Sequence, residues 1–517
     1  MLIDRRSLMK SMAAAGIALP FAARTGIALA DQKILRIGLS AYPPTLSPGS
    51  GGGYSAQAMW ALMHRGLLAY TPKGELAGEL AEGWARDGET GWVFKLREAL
   101  FSDGSPVTAA DVKWSIERMQ DEATRSVLRT SFLSIVSVET PDERTVRLQT
   151  KAPNVALPDL LANQQFYILK KDSTNPDRPY GIGAGAFVLD GFEKDVSLHF
   201  KAAGHYFKAG YPKVDEVRVT IYKDENLRVA ALTAGDVDFI DFVPWNAMSA
   251  LEAQSDVRLD VESEGALMYL LFNGAVGDRK GPFADARLRK AVAFAVRREE
   301  IVKGVFYDRG APLTGMPRAR VSPFYHEEIG NYWRYDPDLA KSLLKEAGVP
   351  NGFKCTLLST AQFGMHRDTA VIVQDHLAEI GIEVKLEIPD WPTRLQMGIA
   401  GDCDFAVMGL GIETLDPDAV ARITDPSLPG SADRSRGFEV PGLSELLARG
   451  KQEFDLQKRQ QIYLEADRLV LDNTSYCGLT YRATGFGTGS KVEGFEMLPG
   501  LLSALSMGGL DKVSLAA

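Results

Sequence analysis

Cysteine is nearly absent from this chain: three residues, Cys355, Cys403 and Cys477, are spread through 517. That number and spacing exclude a disulfide framework and predict buried free thiols, although an oxidising compartment would allow one pair to form. Histidine is equally sparse at six, with no pair at metal-ligand spacing, so a direct protein metal site is not expected. Neither G-x-S-x-G nor H-E-x-x-H occurs, and no Cys/His grouping would serve a nucleophile, which weighs against hydrolytic chemistry. No apolar run approaches the ~20 residues that a membrane span needs. Internal repeats, low-complexity tracts and long charge runs are also missing. With a formal net charge of −9, the surface disfavours nucleic acid as a partner.

What is present is an ordinary globular composition, 45% apolar and 24% charged, on a chain longer than one hydrophobic core usually serves. Two or more lobes are therefore expected. The first thirty residues stand apart. Arg5-Arg6 followed by Ser7, Leu8, Met9 and Lys10 has the twin-arginine export pattern, Ser11 to Ala23 is weakly apolar, and Ala28-Leu29-Ala30 offers a small-x-small cleavage site. A membrane anchor is the competing reading, opposed by the short apolar run and by Arg24 behind it. Cleavage after Ala30 would start the mature chain at Asp31 in the periplasm and take the net charge from −9 to −12, since five charged residues summing to +3 leave with the leader. No cysteine stands at that site to carry a lipid.

The densest local signals lie at residues 80 to 119. Trp92, Phe94 and Leu96 alternate with Val93, Lys95 and Arg97 at the two-residue period of a half-buried strand. Asp103-Gly104 supplies a turn. Thr108 and Asp111 form a capping box in its aspartate variant, and Val112, Ile116 and Met119 give the following helix a buried stripe. The run Phe101, Asp103, Gly104, Pro106, Thr108, Ala109, Asp111, Val112 resembles "F-x-D-G-x-P-x-T-A-x-D-V", the signature of the family 5 extracellular solute-binding proteins of peptide, opine and nickel ABC transporters. Further resemblances follow along the chain. Tyr180 to Leu189 resembles a "G-x-G-P-Y" turn, His205 to Pro212 resembles "N-x-x-Y-W-x-G-x-P", and Leu232 to Asp238 resembles "L-x-x-G-x-V-D". Gly181, Gly183 and Gly185 do not make a phosphate-binding fingerprint, because a strand rather than a helix is expected after them.

The resemblance implies an α/β fold of two lobes joined by two crossing strands, a type II periplasmic binding protein with an extra subdomain in the first lobe. The expected division places lobe I at 31–270, with the inserted subdomain at about 75–180, lobe II at 271–478, and a return to lobe I over 479–517. Leu35, Ile37 and Leu39 read as an opening strand, followed by an irregular loop from Tyr42 through Gly53. Leu267 to Phe272 reads as a crossing strand, and Asp285 and Asp336 as helix caps. From Lys354 strands and helices alternate, then a long helical region from Leu443 to Leu471 precedes an apolar strand near Tyr476 to Tyr481.

The ligand would lie between the lobes, where closure about the hinge buries it. In relatives the "P-x-T-L-x-P" loop borders that cleft, which implicates Tyr42. Residues Gly409 to Asp418 follow a strand end, where α/β sheets expose ligand loops. In peptide binders a carboxylate of this loop meets the ligand's ammonium group, and Glu413 falls at that position. Asp416 is a second candidate there and also reads as the cap of a helix opened by Pro417. Two departures bear on the solute. The arginine that grips a dipeptide's carboxylate is replaced by Thr360, and the aromatic at the head of the Glu413 loop by Leu410. Arg367 or Arg394 is then a candidate anion contact, and Trp391 a candidate cleft wall, against the ordinary readings of a solvated arginine and a core tryptophan. The implied function is the periplasmic binding component of an ABC importer: a monomer with no cofactor, taking a peptide or related amino-acid conjugate and delivering it to the permease. The alternatives are a non-peptide solute (an opine, a sugar-like compound or a nickel chelate) or, less favoured, a periplasmic enzyme.

Overall fold

One sheet of eleven strands runs through the molecule and carries a separate apolar core toward each end. Its strands are β1 (Ile34–Leu39), β2 (Phe187–Glu193), β3 (Ser197–Ala202), β4 (Glu216–Ile221), β5 (Phe239–Ile240), β6 (Val257–Phe272), β7 (Gly310–Pro312), β8 (Lys354–Leu358), β9 (Glu383–Glu387), β10 (Phe405–Leu410) and β11 (Cys477–Gly489). The spatial order is β9-β8-β10-β6-β11-β5-β1-β4-β3-β2, with β7 alongside β11. This computed structural model describes residues 32–50, 53–276, 278–318, 320, 322–412, 414–428 and 433–516. The leader with Arg5-Arg6, the start at Asp31 and the candidate Glu413 lie outside the described residues.

The first core gathers Leu35, Ile37 and Leu39 of β1 with Val217 and Val219 of β4 and Phe486 of β11. The second gathers the end of β6 from Leu267 onward with β8, β10 and their covering helices. β6 and β11 pair antiparallel along most of their length and pass from one core to the other, so the two crossing strands are a single ribbon. The ribbon's register breaks between Glu262 and Ala266.

A third cluster fills the region expected as an insertion, where Ala81–Asp87, Gly91–Leu96, Thr145–Thr150 and Ile135–Asp142 form a separate antiparallel sheet. The sequence signature builds it. Trp92, Phe94 and Leu96 are buried, Gly104 takes φ +83° in the turn, and the Asp111 carboxylate accepts the Thr108 amide at 2.9 Å and its hydroxyl at 2.7 Å at the start of α1 (Ala109–Gln120). The glycine run has a steric cause. A β-carbon on Gly183 would sit 2.1 Å from Nδ1 of His64, and one on Gly185 would sit 2.4 Å from the Leu62 carbonyl.

Several elements exceed the sequence reading. Gly53–Met63 is a helix that the sequence reading left unassigned, buried over nearly all its surface and therefore without an amphipathic stripe. β6 starts ten residues before Leu267, and the expected helical region over 443–471 is two helices, Leu443–Gln452 and Leu456–Asn473, separated where Asp455 caps the second. The three cysteines are free and buried, their thiols pushed up to about 12, 12 and 11 by burial.

Candidate functional site

Strand direction brings the loops of both cores to one place. β1 runs parallel to β4 and β5, and β5 lies antiparallel to β11 with Ile240 opposite Gly487, so the carboxyl ends of β1 and β5 point toward the middle of the ribbon. On the other side β8 is parallel to β9 and β10, and Leu410 at the end of β10 faces Leu267, where the second core begins. Ligands of open α/β sheets bind outside such strand ends. Here two sets of them converge.

From the first core come the loop that carries Tyr42 and the segment Asp241 to Trp245. Asp241 is fully buried and ties the two together, accepting the Ser40 amide at 2.8 Å and hydroxyl at 2.7 Å. Burial raises its pKa to about 6 against the opposing charge of Arg228, 3.7 Å away. Tyr42 is half-buried against the first core, its hydroxyl pKa raised by burial and by the charge of Asp195. Trp245 opens α2 (Trp245–Glu252) and donates from Nε1 to the Ala483 carbonyl at 2.9 Å; it touches apolar clusters on both sides of the ribbon.

The second core contributes an aromatic group. Trp391, at the start of α4 (Trp391–Ala400), stands 5.3 Å from Phe363 and 5.6 Å from His366, and His366 lies in the first turn of α3 (Gly364–Ala378). Burial, reinforced by the charges of Arg394 and Arg482, pushes the pKa of His366 down to about 3, so it is neutral at any physiological pH.

The candidate residues therefore divide. Trp391 and Arg394 meet, with the guanidinium carbon 5.4 Å from the ring centre, but Arg394 is fully buried and donates to the Val407 carbonyl at 2.8 Å, beneath the aromatic group rather than beyond it. Arg367 points to solvent and pairs with its neighbour Asp368 at 2.8 Å. Asp416 caps the turn Pro417–Val420, accepting from the Asp418 amide at 2.9 Å, and pairs with buried Arg459 at 2.8 Å. Thr360 is buried and donates to the Pro389 carbonyl, holding two cleft loops together. Sequence reasoning passed over Trp245, Asp241 and Arg482. The last had a signal, since it is the one charged residue in the thirteen of β11.

A cavity of about 510 Å³ opens beside the Leu410 loop, walled by Leu410, Ile412 and Thr414 and by Leu128, Asp159 and Leu160 of the inserted region. Contacts also join the regions that wall it: Tyr70 donates to Asp159 and lies 3.0 Å from the Thr414 hydroxyl, and Arg86 stacks 3.6 Å over Phe454. A smaller cavity of about 210 Å³ lies inside the first core, where Arg65 and Lys208 already pair with Glu79 and Asp511. Among the described residues no His/Cys/Asp/Glu cluster could hold a metal, and no helix is long and apolar enough to cross a membrane.

Residues 75–427 match the family model for bacterial extracellular solute-binding proteins, family 5 (middle region). The glutathione-binding protein GsiB of Escherichia coli K12 is 28% identical over 353 residues, 67% of each chain. Among solved structures, the binding protein AgaA of A. tumefaciens R10, in complex with agropinic acid, superposes with a TM-score of 0.84 over 94% of this chain and 99% of its own, at 34% identity. The periplasmic binding protein DppA of Helicobacter pylori, in complex with the peptide STSA, has the same fold at a TM-score of 0.80 and 22% identity, over 94% and 98% of the two chains.

Proposed function

The chain belongs to the bacterial extracellular solute-binding proteins of family 5, and from that premise we propose that it captures a peptide or related amino-acid conjugate, opines included, and hands it to an ABC permease. Proteins of this family are substrate-binding components of transport systems that act in the periplasm; they are not an enzyme family. The finer parts of the reading are that export uses the twin-arginine route with cleavage after Ala30, that the mature protein works as a monomer, and that it performs no catalysis.

The observation that carries the reading is the convergence of strand ends from two cores on one hinge ribbon, with aromatic walls on the second core and the Tyr42 loop on the first. Such a cleft excludes water from a small polar solute when it closes, which strengthens every charge-assisted bond inside. Within the class, an opine-like conjugate is favoured over a dipeptide. Thr360 stands where dipeptide binders place their carboxylate-gripping arginine, and the similarity to the agropinic acid binder extends over nearly the whole chain.

Native mass spectrometry of the purified mature protein, followed by calorimetry with agropinic acid, glutathione and short peptides, tests this. A bound amino-acid conjugate or peptide is expected, and it raises the melting temperature because it binds only the native state. No binding by any of these would overturn the solute class. Glu413, proposed to face the solute's ammonium group, gives a second check: Glu413→Gln should weaken an ammonium-bearing solute by roughly tenfold or more, and leave one without that group unchanged.

A further inference from the structure

Among the described residues nine arginines are buried, and eight of them are accounted for. Arg65, Arg318 and Arg459 face carboxylates, and Arg228, Arg289 and Arg298 are held by main-chain carbonyls. Arg394 and Arg434 each donate to a carbonyl as well. Arg482 differs. Only 8% of it is exposed, its Nε is buried without an acceptor, and no carboxylate among the described residues pairs with it. Its one close companion is the ring of Trp245, 6.0 Å from the guanidinium carbon. Burial alone acts on its pKa, lowering it to about 10, so the side chain remains a cation at neutral pH. A buried, unpaired guanidinium is costly and cannot escape by losing its proton, so proteins keep one where an anion is to arrive.

Its place in the ribbon is the junction of the two cores. Tyr481 belongs to the second core and Ala483 to a separate small apolar cluster with Ile240 of β5, with Arg482 between them, opposite Ala266 of β6 and Gly310 of β7. By the alternation of the pleat Arg482 lies on the same sheet face as Thr480 and its partner Met268, the face over which His366 sits 3.2 Å from the β-carbon position of Gly409. One feature there favours a negative ligand group: the first turn of α3 has no side-chain cap, since Phe363 at the cap position has no acceptor.

We infer that Arg482 binds a carboxylate of the solute at the hinge, against Trp245 and near the start of α3, and so selects amino-acid conjugates with a free acid group. This rests on the solute-binding reading above and names the group that reading leaves open. Closure of the cores would then neutralise the one buried arginine left without a partner among the described residues.

The test is calorimetric titration of wild type, Arg482→Gln and Arg482→Lys with agropinic acid, mannopinic acid and glutathione, each beside its carboxyl-amide. Thermal unfolding of the three proteins in acetate runs in parallel. At least one acid should bind wild type, and Arg482→Gln should weaken it by roughly 100-fold while its amide changes little. Arg482→Lys, which keeps the charge without the fork, should recover part of the loss. Acetate should stabilise wild type and not the Gln variant. An acid bound equally well by wild type and Arg482→Gln overturns the inference and leaves the solute-binding reading in place. Failure of every acid, with acetate stabilisation confined to proteins that keep the cation, supports the anion site and overturns the solute class. Failure of every acid with the same acetate response in all three proteins overturns the inference. Should Arg482→Gln not fold, the acid-over-amide preference of the Lys variant against wild type decides.

Discussion

Asp241 joins the chemistry of the first core to the loop that borders the cleft. Its carboxyl is fully buried and keeps its proton up to about pH 6, whereas in the unfolded chain it ionises near pH 4. Between those values the folded protein holds more protons than the unfolded one, so stability falls as pH rises, by up to about 1.4 kcal/mol per pH unit, and levels off above pH 6. Asp159 is raised to about 6 by burial and by the charge of Asp416, and gives a slope of the same sign. In urea unfolding at successive pH values, Asp241→Asn should therefore flatten the stability profile between pH 4 and pH 6 relative to wild type. A slope that is unchanged in the variant would mean that the Ser40 bonds, not the buried proton, govern this carboxyl.

At the scale of elements, the places where sequence reasoning succeeded share a cause. Asp285, Asp336 and the Thr108–Asp111 pair are caps, and a cap depends on a few adjacent residues whatever the tertiary context. The opening strand and the strand from Trp92 were legible because one face is buried and the other is not. The helix Gly53–Met63 was hidden because burial on all sides erases periodicity, and the first half of β6 because Arg258, Asp260, Glu262 and Glu264 mask a strand whose partner lies more than two hundred residues away. The site was only partly legible for the same reason. The loop after β10 could be located from a strand end, but Arg394 reads the same in sequence whether it meets a ligand or the Val407 carbonyl. The ribbon's bulge gives this scale its test. A β-carbon on Gly265 would lie 2.3 Å from the Thr484 hydroxyl and 2.7 Å from that of Ser503, so β6 and β11 could not keep their present spacing. Gly265→Ala should cost about 1–3 kcal/mol in urea unfolding and weaken solute binding as well, since the crowded strands are those that join the cores. Lost stability with unchanged affinity would place the bending elsewhere.

Across the whole molecule, the question is what holds the second core against the inserted region in the arrangement described here. Tyr70 is the central contact. Its hydroxyl donates to the half-buried Asp159, lies 3.0 Å from the Thr414 hydroxyl and accepts the Leu415 amide at 3.3 Å, so one phenol bridges the inserted region and the loop after β10. Phe454 on Trp92 and Arg86 and the Val155–Lys451 main-chain bond extend the same contact. Of these, only the Tyr70 contact involves the loop that also borders the cleft, so closure and solute capture share it. Hydrogen bonds to a charged group contribute about 1.5–3 kcal/mol each, and every 1.4 kcal/mol is tenfold in an equilibrium constant. Tyr70→Phe keeps the ring and removes the bridge. Apparent solute affinity should therefore fall by roughly 10- to 100-fold. The fall should appear mainly as faster release, because the bonds form only after the solute has entered an open cleft. Stopped-flow measurement of release, with small-angle scattering of the solute-bound protein, separates the possibilities. Faster release with a larger average radius is the expected pair of results. A slower association rate with unchanged release would mean instead that Tyr70 shapes the open form, and that the cores are held together by the solute alone.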